Sequence, residues 1–355
     1  MTSRARLTLS VAFCGFWAAP LVPQQQTPQS SELPNTRIQV QVNEVILPVT
    51  VTDDKGRFVS NLEAKDFRVL DEGRPQRIIS FRHDQKQPIV VGFLLDMSNN
   101  TRLHWKRYQE AVMEMVWNLL PGDPHYSGYL ISYSNDAEMV VNTTSDGDKI
   151  TDQVRNMKPG GGAALFDAIY MACTRHELVK GEPFEPRRVI VVVGDGHDSS
   201  SKKTLDEVIE IAQRNLVTIY GMSTMAYGFD NPDRAVLERL ATETGGRVVY
   251  PLNTLYRDVS ANTYFAQPSD EGSYAFKVGT GGYEAEIAGN IIRAVGAVNG
   301  DITTQYVLRY VPDIDAAAKP KIFRNIKVEI VNLPNVIIRA RTGYYPNALP
   351  AAIDH

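Results

Sequence analysis

The stretch IVVGFLLDMSNNT, residues 89–101, decides the fold of this 355-residue chain. Its first seven residues carry no charge, and Asp96 follows them directly. A continuous apolar run of this length is typical of a parallel strand buried on both faces. The stretch VIVVVGDGHD, residues 189–198, repeats the pattern and reaches Asp195. Because the carboxyl ends of parallel strands meet at one edge of a sheet, we expect Asp96 and Asp195 to lie close together.

Amphipathic helices are predicted between such strands. In residues 105–120, WKRYQEAVMEMVWNLL, the apolar residues recur with the helical period, and residues 201–215 are similar. Strands that alternate with amphipathic helices indicate an α/β fold with a doubly wound, mainly parallel sheet. Further helices are predicted around 148–157, within 160–178, at 234–245 and at 284–301, and further strands at 127–134, 188–195, 217–223 and 247–252.

The two ends of the chain have a different pattern. Residues 37–86 and 303–346 alternate Ile or Val with polar residues, which is the period of strands with one buried face. The segments 54–56 and 71–73 end in glycine and supply hairpin turns. Since the two ends match in pattern, we expect them to pair in one small β-sandwich that flanks the α/β domain.

The N-terminus has the pattern of a secretory signal peptide. Arg4 and Arg6 precede an apolar run at 7–22 that is too short and interrupted to be typical of a spanning helix. We therefore expect a secreted, periplasmic or cell-envelope protein without a membrane span in the mature chain. Cys173 is then the only cysteine left, and we expect it to be a small buried apolar side chain. The predicted segments are a signal peptide (1–23), a flexible lead-in (24–36), an N-terminal β module (37–86), the α/β domain (87–302, with an insertion at 256–283), C-terminal strands (303–346) and a tail (347–355).

The charge balance excludes some classes of partner. The chain has 37 Lys and Arg against 41 Asp and Glu, so its net charge is −4 and its pI is about 5.9. General affinity for nucleic acid or for an anionic membrane surface needs concentrated Lys and Arg, which this composition does not supply. We therefore expect neither as a partner.

Three stretches carry a resemblance to a known family. IVVGFLLDMSNNT, GGGAALFDAIY (160–170) and VIVVVGDGHD, in this order, resemble the three loops of a von Willebrand factor type A domain. Two flanking segments make the resemblance more specific: VTVTDDKGRFVSNLEAKDFRVLDEGRPQRIISF (49–81) and QYVLRYVP (305–312). They are similar to those of a bacterial, secreted von Willebrand factor type A-related family, best known from acidobacteria. The resemblance covers roughly residues 38–346, and it implies a protein-binding, adhesion-type function.

The resemblance also implies a metal-ion-dependent adhesion site. The family binds a divalent cation, usually Mg²⁺, through an Asp-x-Ser-x-Ser loop, a threonine on the second loop and an aspartate on the third; a partner's carboxylate takes the open position. Hard cations prefer such oxygen ligands. Asp96 and Ser98 match the first loop, and Asp195 matches the third. Asn100 stands where the second serine belongs, and Ala163 stands where the threonine belongs. The candidate ligands of Mg²⁺ or another divalent cation are Asp96, Ser98, Asn100 and Asp195.

Each of these residues also has a purely structural interpretation. Asn100 could ligate through its carbonyl oxygen only if the loop shifts, and Ala163 has no side-chain oxygen. Ser98 and Asn100 are both common caps of turns after a strand. We expect Asp167 to cap or orient the helix that follows it rather than to bind metal. A weakened metal site and a metal-free loop scaffold therefore remain as alternatives.

Enzymatic function is not expected. Glycines 160–162 lack the pattern of a phosphate-binding loop, and the six histidines lack the paired spacing of a zinc site. The Ser/Lys-rich segment 199–203 indicates the N-cap of a helix. A hydrolase that uses Asp96 and Asp195 is a weaker alternative, because no complete catalytic site is visible.

The predicted function is binding of a protein partner, through an acidic side chain, at the loops 96–101, 160–167 and 195–201. The alternative is a metal-independent structural or assembly module, in which the β-sandwich or the insertion at 256–283 makes the contacts. Neither the identity of the partner nor the oligomeric state follows from the sequence.

Overall fold

The computed structural model describes residues 44–83, 88–102, 105–175, 178, 186–225, 232–251, 280–312 and 322–346. All of them belong to one unit, Val42–His355. The predicted signal peptide, the lead-in, residues 37–43, most of the predicted insertion (256–279) and the tail lie outside the described residues.

Fourteen strands and six α-helices are described in these ranges. The strands are β1 (Val45–Asp53), β2 (Phe67–Asp71), β3 (Arg74–Gln76), β4 (Ile78–Arg82), β5 (Ile89–Asp96), β6 (Tyr126–Tyr133), β7 (Ala137–Thr144), β8 (Arg187–Gly194), β9 (Val217–Ser223), β10 (Val248–Val249), β11 (Tyr306–Tyr310), β12 (Arg324–Ile330), β13 (Val336–Ala340) and β14 (Gly343–Tyr344). The helices are α1 (Trp105–Leu119), α2 (Gly147–Asn156), α3 (Leu165–Thr174), α4 (Leu205–Arg214), α5 (Pro232–Thr244) and α6 (Thr280–Thr303).

A six-stranded sheet lies at the centre, in the order β10-β9-β8-β5-β6-β7. Its strands are parallel except for the edge strand β7, which runs antiparallel to β6. All eight residues of β5 are buried, as a strand covered on both faces requires. The α/β fold class predicted from the sequence is confirmed.

Helices cover both faces of this sheet. Val91, Phe93 and Leu95 of β5 pack in one apolar cluster with residues of α1, α2 and α6. Val90 and Leu94 point to the opposite face and pack with residues of α3, α4 and α5. The alternation follows from the two-residue period of a strand. Cys173 is free and buried in this second cluster.

Two four-stranded antiparallel sheets flank the α/β layers, in the orders β13-β1-β11-β4 and β14-β12-β2-β3. Strands from both ends of the chain pair in them: β1 lies between β11 and β13, and β2 pairs with β12. Buried residues of both sheets, among them Val49, Val69 and Leu308, form a third apolar cluster. The sheets therefore face each other as a small sandwich.

Several element boundaries differ from the sequence prediction. The edge strand β7 was not predicted, and β10 has two residues instead of six. Helix α6 begins at Thr280, inside the segment predicted as an insertion. Helix α4 begins at Leu205 because Thr204 and Glu207 form a capping box, so the predicted cap at 199–203 is wrong.

No helix in the described part of the chain is long and apolar enough to cross a membrane.

Candidate functional site

The central sheet brings two aspartates to its carboxyl edge. Asp96 is the last residue of β5, and Asp195 directly follows β8, the parallel neighbour of β5. Gly194 is the last residue of β8, and a Cβ atom on it would lie 2.8 Å from the Cβ of Asp96. Only glycine leaves room for this approach. Both carboxyl groups are buried, with 1% of Asp96 and 8% of Asp195 exposed.

Asp96 has one satisfied and one unsatisfied oxygen. The backbone N–H of Ser98 donates to Oδ1 at 2.7 Å. The other oxygen, Oδ2, is buried and has no hydrogen-bond partner among the described residues. Burial raises the pKa of Asp96 to about 7, and the nearby charge of Asp195 adds to this effect. These two effects outweigh the hydrogen bonds from Ser98 and from the backbone of Asp195, which favour the charged form.

Asp195 is held by two donors. The side-chain Nδ2 of Asn100 donates to Oδ2 at 2.9 Å, and the backbone N–H of His197 donates to Oδ1 at 2.9 Å. Asn100 thus links the first loop to the third with its amide nitrogen. It was considered above as an oxygen ligand, but in this arrangement it presents a hydrogen-bond donor to Asp195.

Ser98 caps a short turn. Its Oγ accepts from the backbone N–H of Asn100 at 3.3 Å, at the start of the 3₁₀ turn Asn99–Thr101. Thr101 closes the same turn, since its hydroxyl lies 3.0 Å from the carbonyl oxygens of Asp96 and Ser98. Thr101 was not singled out from the sequence. These bonds fix the first loop on the end of β5.

Ala163 contributes to the site only through its backbone. Its side chain is fully buried. Its N–H donates to the hydroxyl of Ser199 at 3.2 Å, and its carbonyl accepts from the N–H groups of Ser199 and Ser200 at 2.8 and 3.0 Å. The N–H of Gly160 also donates to the carbonyl of Met97 at 2.6 Å. The second loop is therefore tied to both of the others by backbone groups.

Two further aspartates stabilise helix termini. Asp198 accepts at 2.9 Å from the N–H of Phe166, in the first turn of α3. Asp167 accepts at 3.1 Å from the N–H groups of Lys202 and Lys203, just before α4. We predicted that Asp167 caps or orients its own helix. The capping role is wrong: Asp198, 31 residues later, supplies the acceptor, because Ala164 at the N-cap has no acceptor side chain.

Tyr133 was also missed. It is the last residue of β6 and pairs with Asp96 in the parallel ladder, so its position at the same edge was predictable. Its buried hydroxyl has no hydrogen-bond partner among the described residues. Burial and the charges of Asp96, Asp195 and Asp198 raise the pKa of Tyr133 well above its usual range. The hydroxyl therefore stays protonated in this acidic surrounding.

The donor set partly fits a divalent cation. Asp96, Ser98 and Asp195 place side-chain oxygens at one edge, and the unsatisfied Oδ2 of Asp96 is the kind of group that a cation stabilises. Ala163 supplies no side-chain oxygen, and Asn100 presents nitrogen to Asp195. Within the described ranges, no cluster of three or more His, Cys, Asp or Glu could hold a metal ion.

The fold and this edge define a class of domain. Residues 91–258 match the family model of the von Willebrand factor type A domain. Together with the α/β fold, this match identifies the segment as a domain of that type, a class made up mostly of non-enzymatic protein-interaction modules of adhesion and assembly. No curated protein matches the chain.

Solved structures with a similar fold are distant. The conserved hypothetical protein BatB from Bacteroides thetaiotaomicron is 18% identical, with a TM-score of 0.38, over 49% of this chain and 96% of that chain. A von Willebrand factor type A structure from Catenulispora acidiphila is 12% identical, with a TM-score of 0.42, over 87% of this chain and 64% of that chain. Proximal thread matrix protein 1 from the mussel byssus, described with a zinc-occupied MIDAS motif, is 16% identical, with a TM-score of 0.39, over 48% of this chain and 43% of that chain.

Proposed function

We propose that this chain is an exported protein-binding module of the adhesion type. Its partner would contact the apex, which we define as the loops 96–101, 160–167 and 195–201. The type A domain supports this proposal, since such domains are commonly interaction modules. The signal-like pattern of the first 23 residues supports export to the cell envelope or beyond.

The observation that carries the proposal is the unsatisfied carboxylate oxygen of Asp96. A buried carboxylate with a second carboxylate nearby is costly unless a positive charge offsets it. Mg²⁺ or a similar divalent cation, held by Asp96, Ser98 and Asp195 with Asn100 as a further candidate, would supply that charge. A bound cation would also offer an open position to an acidic side chain of the partner.

A metal-independent module is the second candidate, and a different observation favours it. The Nδ2 of Asn100 already donates to Asp195 at 2.9 Å, which offsets part of its charge without an ion. Backbone hydrogen bonds through Gly160 and Ala163 tie the three loops together as well. In this case the apex would be a preformed surface that binds a partner without a cation.

Both candidates place the partner at the apex, and an Asp96→Ala variant tests this directly. The purified wild-type chain and the variant would be used to capture partners from the envelope fraction of the producing cell, with Asp152→Ala as the control. Asp152 is exposed on α2 and carries the same charge. We expect Asp96→Ala to lose the partner that wild type and Asp152→Ala retain. Equal recovery by all three proteins would contradict binding at the apex.

A further inference from the structure

Arg341 is a buried cation at the junction of the sandwich and the α/β domain. It follows β13, and its backbone nitrogen lies 2.6 Å from the place where a Cβ on Gly245 would stand. Gly245 has φ +90°, and it closes the turn after α5. Only 3% of Arg341 is exposed. A glycine is thus needed for the sandwich to approach this turn closely.

Among the described residues, the guanidinium group of Arg341 has neither an acidic partner nor a hydrogen-bond acceptor. Its Nε, Nη1 and Nη2 atoms are buried, and none of them has a hydrogen-bond partner among the described residues. Burial lowers the pKa of Arg341 to about 10, so the group remains charged at neutral pH. An unpaired buried charge is among the most costly features that a folded protein can contain.

Arg341 lines a cavity of about 20 Å³ together with Arg187, Arg188, Thr218 and Gln305. None of the described residues around this cavity is acidic. A water-sized occupant needs roughly 10–15 Å³, so the space suits one small species. The cavity is therefore small and lined by three arginines.

The other two arginines of the cavity, Arg187 and Arg188, do not offset the positive charge of Arg341. Among the described residues, Arg187 donates to two neutral acceptors, the side-chain oxygen of Gln305 and the backbone carbonyl of Ile302, both at 2.5 Å. The Nε of Arg187 and that of Arg188 are buried without hydrogen-bond partners in the described part of the chain. A water molecule could accept a hydrogen bond here, but it could not offset the charge.

We propose that this cavity binds one small inorganic anion of the size of chloride, held by the guanidinium group of Arg341. The anion would accept hydrogen bonds from the N–H groups of Arg341, which have no partner among the described residues. It would thereby stabilise the junction between the sandwich and the α/β domain. This site lies at the amino end of β8 and β9, at the opposite edge of the sheet from the apex, and does not depend on the proposed function.

The test is an anion titration of thermal stability. The melting temperature of the full chain is measured against sodium chloride and sodium bromide, with ionic strength kept constant by sodium gluconate, whose anion is too large for the cavity. We expect a saturable rise of about 3 °C for wild type. Arg341→Met should lose this rise, and Arg68→Met, which removes an exposed arginine of the same sandwich, should keep it. The same anion dependence in Arg341→Met, or none in wild type, would overturn the proposal.

Crystals of wild type grown in bromide provide a readout that does not depend on a variant. We expect an anomalous bromide peak within hydrogen-bond distance of the Arg341 guanidinium. A carboxylate of the chain's own residues in the cavity, or a water molecule without an anomalous signal, would overturn the proposal.

Discussion

Asp96 combines two properties that a single residue rarely shows at a surface apex: it is almost fully buried, and one of its oxygens is unsatisfied within the described structure. The neighbouring groups determine the free-energy cost of burying this carboxylate. The backbone of Ser98 stabilises the charged form, whereas burial and Asp195 oppose it. Asn100 donates a hydrogen bond to the carboxylate of Asp195, but it donates none to Oδ2 of Asp96.

The raised pKa of Asp96 predicts a pH dependence of stability in the absence of divalent cations. Its folded pKa of about 7 lies above its ordinary value of 3.8, so the folded state favours the protonated form. The stabilisation is complete below about pH 4 and is lost as the pH rises through 7, by up to about 4 kcal/mol. Urea unfolding in EDTA at pH 5 and pH 8 measures it. Asp96→Asn should lack this part of the slope, and equal slopes for both proteins would contradict the assignment.

The sequence could predict where Asp96 and Asp195 lie, because each ends an apolar strand and parallel strands share an edge. It could not predict what Asn100 does, since the acceptor of its amide lies 95 residues away on another loop. Tyr133 could have been found from the strand that it ends. Asp198 gave no local signal, because the helix that it stabilises comes earlier in the chain.

Helix α3 depends on a distant residue for an acceptor at its N-terminus. Its own N-cap position is Ala164, and Asp198 provides the acceptor for the N–H of Phe166. We predict that Asp198→Ala lowers the free energy of unfolding by about 0.5–2 kcal/mol, the usual cost of a lost helix cap. Amide exchange of Phe166 should become faster in the variant. Asp206→Ala, which removes a highly exposed carboxylate in the first turn of α4, is the control, and unchanged exchange at Phe166 would contradict the capping role.

Elements with a strong apolar periodicity could be predicted from the sequence, and elements with a weak periodicity could not. Helix α1 and strand β9 follow the predicted ranges closely, because their apolar periods are unbroken. Strand β7 is half-buried at the sheet edge and has no continuous apolar run, so it was missed. The start of α4 was placed too early because several Ser and Thr residues precede it, and only the Thr204–Glu207 pair forms the box.

On the scale of the whole molecule, a buried acid joins the sandwich to the α/β layers. Asp301 of α6 is fully buried and lies 2.7 Å from Arg247, which precedes β10, and 3.0 Å from Arg339 of β13. Matching patterns at the two chain ends suggested a shared sandwich, but the long-range partners of Asp301 could not be inferred. Arg247, Asp301 and Arg339 are far apart in the sequence, and only the tertiary fold brings them together.

We predict that Asp301→Asn lowers the free energy of unfolding by about 3–5 kcal/mol, because two arginines would lose their counter-charge at a buried junction. Denaturant unfolding measures the change. The control is Asp152→Asn, whose exposed pair with Arg155 should contribute less than about 1 kcal/mol. Equal effects of the two substitutions would show that the junction does not depend on this acid.

The most direct measurement is a calorimetric titration of the full chain with Mg²⁺ and Mn²⁺. If Asp96 and Asp195 hold a divalent cation, wild type and Asp152→Asn will bind it and Asp96→Asn will not. Asn100→Ser combined with Ala163→Thr restores two hydroxyl oxygens and should raise the affinity by roughly tenfold, equivalent to about 1.4 kcal/mol. No heat with wild type, or the same heat with Asp96→Asn, would contradict a cation site at the apex.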